Sequence, residues 1–232
     1  MLDSGGDRPR RIVRQSGAPA ALAPRPMTGS HETRLAPVPF ADWDDHTRDV
    51  LLSYLRRPEL YLSGKPDAPP IPIVLELLAH HLPLSDTWLA FSDMLASDEA
   101  KLDPVRRELV ILRVAWRTRS GYEWMQHRRM GAEAGLTDEQ LEAVVRSGPD
   151  AEVWSPQERL MLRAADEMID RFAVSDETWE GLASSLEPAE IFELLFLIGG
   201  YLCLATVLNS IGLQGDLPDD HSAGHHAGSV AP

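Results

Sequence analysis

From Asp42 onward apolar residues recur three and four positions apart, and this spacing predicts one helix after another. Asp42 to Arg57 reads as a single helix closed by Pro58. Pro66 to Pro72 is a loop, because its prolines remove backbone donors and fix φ. Ile73 to His81 is a short helix stopped by Pro83, and Leu84 to Ser97 a longer one with Trp88, Phe91 and Leu95 on one side. Asp103-Pro104 is an N-cap followed by proline at the first helical position, opening a helix from Val105 to Arg117. A turn at Ser120-Gly121 leads into Tyr122 to Ala134, which ends at Gly135. Thr137 with Gln140 and Ser155 with Glu158 are capping boxes for helices through Val145 and Phe172. Ser175 starts a shorter helix, and Pro188 begins the last long one, to about Ile211. No convincing strand and no fixed-period repeat is found. The expected fold is all-α, a single domain of about eight helices spanning residues 40–216.

The two ends differ from this body. Residues 1–39 are rich in Pro, Gly, Ala, Ser and Arg and are expected to be a disordered leader. Through Pro26 the leader holds five arginines and two aspartates, so the remainder carries −17 against −14 for the whole chain. The change in character just before Met27 marks that residue as a candidate natural start. The alternative is a genuine basic tail that touches the acidic body. Residues 217–232, with His221, His225 and His226, read as a flexible tail.

Net charge narrows the partners: −14 argues against nucleic acid, which requires a basic patch. The single cysteine, Cys203, excludes an internal disulfide, a CxxC pair and a cysteine-built zinc site, and it reads as inert core. The apolar run from Ile191 to Leu208 contains Glu193 and Gly199-Gly200 and reads as a buried core helix, not a membrane span. A cytoplasmic location is the default. Adjacent His80 and His81 point about 100° apart on a helix and suit a helix-end role better than a shared metal; no metal site is expected.

The chemistry concentrates in GYEWMQHRR, from Gly121 to Arg129. Helical spacing places Ser120, Glu123, Trp124 and His127 on one stripe, with Tyr122 beside it. Glu123 and His127 are an i, i+4 pair able to share a hydrogen bond and tune the imidazole for acid–base work. One helix earlier Glu108 sits among apolar residues in RRELVILRVAW. Taken alone, the same stripe also suits a solvated helix face, with Trp124 and Tyr122 as packing residues.

The run Glu108, Ser120, Glu123, His127, flanked by LAHHLPLSDTWLAF, RRELVILRVAW, GAEAGLTDEQLEAV and ELLFLIGGYLCLATVLNSIG, resembles the carboxymuconolactone decarboxylase and AhpD-like family over roughly Phe40 to Asp216. The redox branch of that family carries Cys-x-x-Cys-x-x-x-His about a dozen residues after the glutamate. Here Ser120 and Glu123 stand at the two cysteine positions, and neither can cycle through a disulfide. The resemblance therefore points to the non-redox branch. It implies an AhpD-like helical bundle and cofactor-independent proton transfer on a small cyclic carboxylated or enolisable substrate, by a lyase or isomerase. His127 is then the acid–base group, Glu123 its orienting or second proton-transfer group and Glu108 a buried relay. Tyr122, Trp124, Ser120 and Tyr201 are candidate substrate contacts, with Asn209 a further one. The resemblance also implies a homo-oligomer: trimer, hexamer or dimer. The alternative function is a non-catalytic binding or assembly protein of the same family, and an AhpD-like peroxidase is a distant third.

Overall fold

The computed structural model describes residues 33–65 and 68–213. The proposed start at Met27 and the histidine-containing tail lie outside the described residues. Among these residues there are only helices: α1 (Asp45–Ser53), α2 (Pro58–Tyr61), α3 (Ile73–Leu78), α4 (Leu82–Ala96), α5 (Pro104–Thr118), α6 (Gly121–Ala134), α7 (Asp138–Arg146), α8 (Pro156–Arg171), α9 (Asp176–Ala183) and α10 (Pro188–Ile211).

The centre is α5, which is buried continuously from Arg107 to Ala115 and packs against α6, α8 and α10. One side of α5, with Val110, Ile111 and Val114, joins Met161, Leu194, Leu197 and Ile198 from α8 and α10. Its other side, with Leu109 and Leu112, meets Leu136, Leu141 and Trp154. Each fully buried Leu or Ile there contributes about 1.5–3 kcal/mol relative to exposure.

The helix starts follow the local chemistry. Asp103 Oδ1 accepts from the Arg106 N–H, and the boxes at Thr137/Gln140 and Ser155/Glu158 are both closed. The N-terminal half departs from the expectation. Asp42 to Arg57 is not one helix: residues 40–42 form a separate 3₁₀ turn, and Asp44 caps α1 through the Thr47 N–H. Pro83 does not end a helix but stands in the first turn of α4, where a missing N–H costs nothing. His81 acts at this N-terminus, its Nδ1 accepting from the Leu84 N–H, while His80 Nε2 lies 2.8 Å from the Ala36 carbonyl. Residues 33–39, assigned by sequence to the disordered leader, are hydrogen-bonded here. The Arg34 N–H donates to Ile211 O, the Val38 N–H to Glu76 O, and Trp43 Nε1 to Val38 O.

Two other expectations are corrected on α10. Only a third of its apolar window is buried, so it is not a wholly internal helix, and Cys203 is exposed, not core. The reason is the same for both: an apolar sequence all round leaves the outward face unmarked. This is the one helix among the described residues long and apolar enough to cross a membrane.

A partly buried ion pair locks three elements together. Arg113 Nε and Nη2 each lie 2.7 Å from the Asp166 carboxylate, and Nη1 donates to Val144 O at 2.6 Å. The guanidinium also lies directly against Gly148, where φ is +54° and a Cβ would collide with it. Asp166 is shared, since Arg117 Nη1 also lies 2.7 Å from its Oδ1, so loss of Arg113 leaves that carboxylate one partner. Arg113→Ala is therefore expected to destabilise the protein by about 1–3 kcal/mol in urea titrations, through the hydrogen bonds lost at Asp166 and Val144; a loss under about 0.5 kcal/mol would show the pair to be solvated.

Candidate functional site

Arg119 adopts a left-handed conformation (φ +57°) at the end of α5, and the Ser120 N–H caps back onto Ala115 O. The chain thereby reverses and lays α6 along α5. Gly131 lets the two helices close up: a Cβ there would sit 2.9 Å from Leu136 Cδ1 and 3.2 Å from Leu112 Cδ1. One turn earlier on α6, His127 comes opposite Glu108.

His127 Nδ1 lies 2.7 Å from Glu108 Oε2, with both side chains buried. An ionised carboxylate only accepts, so with Glu108 in that form Nδ1 donates and Nε2 is the ring nitrogen left for exchange. On the other side of Glu108, Arg107 Nε is 3.4 Å from Oε1, and Arg107 Nη1 donates to Leu95 O. The buried guanidinium offsets the charge that Glu108 brings into the interior. The Tyr201 ring meets the imidazole edge-on, centroids 5.0 Å apart.

Glu123 is 2% exposed, and neither carboxyl oxygen has a hydrogen-bond partner; the Ser120 hydroxyl is likewise unpartnered. Burial pushes the Glu123 carboxyl up to about 8. The Ser120 hydroxyl is near enough to oppose that rise partly, but it is not aligned for a hydrogen bond to either oxygen. At pH 7 Glu123 is consequently a neutral acid. Burial also raises the Tyr201 phenol above its ordinary value, and the Glu108 and Glu123 carboxyls push it the same way, so it remains a donor.

The expected Glu123–His127 hydrogen bond does not form: Glu108 takes the imidazole, and Glu123 is left with its proton. Glu108, Ser120, Glu123, His127 and Tyr201 are brought into one region. Tyr122 instead packs with Leu77, Leu208 and Leu213. Trp124 lies against Trp116, ring centroids 5.6 Å apart, beside the Leu109–Leu112 cluster. Asn209 is exposed, its Nδ2 donating to Thr118 O. Arg107 was missed by sequence reasoning, since its neighbour Glu108 points about 100° away on an ideal helix. The only signal was a basic residue beside an acidic one within an apolar run.

Residues 83–167, from the start of α4 into α8, match the family model described as carboxymuconolactone decarboxylase. Over this segment the chain is similar to the carboxymuconolactone decarboxylase family. Glu108, Ser120, Glu123 and His127 fall within the matched segment, and Tyr201 beyond it. Among solved structures, the fold is similar to an AhpD-core alkylhydroperoxidase structure, an uncharacterized peroxidase-related protein from Ralstonia eutropha JMP134. That match has TM-score 0.65 and 19% identity over 83% of this chain and 95% of the other. An uncharacterized peroxidase-related protein from Silicibacter sp. TM1040 is similar to the same degree, with TM-score 0.64 and 17% identity over 84% and 98%. No curated relative matches the chain in sequence. At these identities the likeness is one of fold.

Proposed function

We propose that this protein is a carboxymuconolactone decarboxylase-like, cofactor-independent lyase or isomerase, transferring protons on a small cyclic carboxylated or enolisable substrate. The observation that carries the reading is a buried imidazole, oriented by Glu108 at 2.7 Å, in the same region as a carboxyl that keeps its proton to about pH 8. Base and acid are thus separated by environment, which is what removal of one proton and delivery of another require. His127 Nε2 takes the proton. Glu123 returns one to the enolate-like carbanion that enolisation or loss of carbon dioxide leaves, and the Tyr201 phenol donates a hydrogen bond to the developing negative oxygen. Arg107 and Glu108 act through the imidazole.

A second reading, a non-catalytic binding or assembly protein, is favoured by a different observation. Two cavities of about 450 and 730 Å³ lie along α4 and α10, lined by Trp88, Phe91, Phe192 and Phe196, and none of the proton-transfer residues lines them. Peroxide reduction is supported least, because Ser120 and Glu123 occupy the thiol positions and Cys203 stands apart on the exposed face of α10.

Carboxylated γ-lactones and β-keto acids incubated with the protein in heavy water, followed by proton NMR, distinguish these readings. Turnover or solvent-deuterium incorporation in at least one substrate is expected. His127→Ala should lower the rate about 10²–10⁴-fold with helicity unchanged. A panel on which wild type and His127→Ala are equally inert would leave the binding reading.

A further inference from the structure

Ser120-Gly121-Tyr122-Glu123 has the sequence of a capping box, a serine followed three residues on by a glutamate. At other helix starts the serine-like cap closes. Asp44, Asp103, Thr137, Ser155 and Ser175 each accept from the N–H three residues on. Ser120 does not: its side chain makes no cap bond, and its ψ is 92° where those residues stand at 155–170°. The cause is the turn before it. The left-handed Arg119 sends the Ser120 N–H back to Ala115 O at 2.9 Å. That N–H is the donor Glu123 would take in a closed box, so both halves stay open.

Both side chains are turned into the protein instead. Ser120 is 1% and Glu123 2% exposed, and the hydroxyl and both carboxyl oxygens have no partner. Buried polar groups are normally hydrogen-bonded, so a pair like this calls for a ligand. The Glu123 N–H, which no side chain caps, adds a donor at the positive end of the dipole of a 14-residue helix.

We propose that the substrate's carboxylate docks at the N-terminus of α6, its oxygens accepting from the Ser120 hydroxyl and the Glu123 N–H. The turn offers donors, and an ionised carboxylate is an acceptor only. Helix N-termini take anions for the same reason. The Glu123 carboxyl, neutral at pH 7, stands beside the anion without repelling it and keeps its proton for the neighbouring carbon. The covering is thin: Arg119 and Gly121 are half-buried, and Gly121 has no side chain. Helical side chains lean toward the N-terminus, which brings His127 over the turn that carries Glu123. A carboxylate held by hydrogen bonds is stabilised before the reaction, so it is the anchor and not the group lost as carbon dioxide. This inference rests on the proton-transfer reading and narrows its substrate to an acid that keeps one carboxylate throughout.

Amide NMR of the full chain, titrated with γ-butyrolactone γ-carboxylate and with its neutral carboxamide, tests this. The carboxylate should shift the Gly121, Tyr122 and Glu123 amides, and the carboxamide should not. Ser120→Ala should weaken carboxylate binding about 10–100-fold with helicity unchanged, the loss expected for a hydrogen bond to a charged group. At pH 9 the Glu123 carboxyl, which titrates near 8, is ionised and should repel the ligand, whereas Glu123→Gln should bind as at pH 7. Arg107, Glu108, His127 and Tyr201 also face this region and are common to both proteins, so the difference reports Glu123. No binding, equal binding of acid and amide, or an affinity that Ser120→Ala leaves unchanged overturns the proposal. Turnover whose KM is indifferent to Ser120→Ala overturns the anchor alone and leaves the proton-transfer reading standing. Carboxylate binding at these amides without turnover supports the anchor and counts against that reading.

Discussion

Replacing Glu123 by glutamine is expected to stabilise the protein by up to about 3 kcal/mol at pH 7 and to change it little near pH 4. The folded carboxyl titrates near 8 and the unfolded one near 4.5. Below 4.5 both states hold the proton and nothing is lost. Between 4.5 and 8 the unfolded chain has released a proton that the folded chain still keeps, so stability falls as pH rises. Above 8 both are ionised and the loss levels off at about 5 kcal/mol. Glutamine is neutral in both states and removes that slope. Urea titrations at pH 4, 7 and 9 measure it; a difference between the two proteins that is the same at all three pH values would show Glu123 to be solvated. A gain of that size moves the melting temperature roughly 6–12 °C in a chain of this length. The gain should come with lost turnover, as expected where an acid is held in an unfavourable setting for function.

At Glu108 the expected effect has the opposite sign. Glu108→Leu removes the acceptor of His127 Nδ1 and leaves the buried Arg107 guanidinium with only the Leu95 carbonyl. Breaking a buried pair in this way costs about 3–5 kcal/mol. Adding Arg107→Met to Glu108→Leu removes the stranded charge and should recover most of the loss, since replacing both partners by apolar groups is often neutral. Turnover should remain lost in the double variant, because the imidazole has no orienting group. If Glu108→Leu alone costs under about 1 kcal/mol, Glu108 is not the buried relay described here. Urea midpoints of the single and double variants, compared in one cycle, give the coupling directly.

Much of this architecture is legible in the chain. The starts of α5, α7 and α8 follow from Asp103-Pro104, Thr137/Gln140 and Ser155/Glu158, because a cap is a contact between residues three apart and needs no tertiary partner. Glu108, Ser120, Glu123 and His127 could be named as candidates through the family resemblance, since their spacing alone suits a solvated helix face equally well. The early helices were less legible. Asp42, Asp44 and Asp45 are all plausible caps, and only Asp44 is used, after a 3₁₀ turn in which Phe40 packs edge-on against Trp43. Pro83 reads as a stop or a start depending on which residue caps the turn, and that residue is His81.

The all-helical fold, most helix boundaries from α5 onward, and the lack of a thiol pair where a redox centre would need one can all be read from the chain. These are local properties, written in periodicity, caps and residue identity. Which carboxylate orients His127 depends on how the helices pack. Glu123 is four residues away and on the same face, yet the partner is Glu108 from the neighbouring helix, nineteen residues back. The left-handed turn at Arg119 and the close approach at Gly131 bring it there. The same packing strands Glu123 without a partner and so makes it an acid. It also decides which side of α10 is outside, because an apolar helix carries no mark of its own facing until the other helices cover one side.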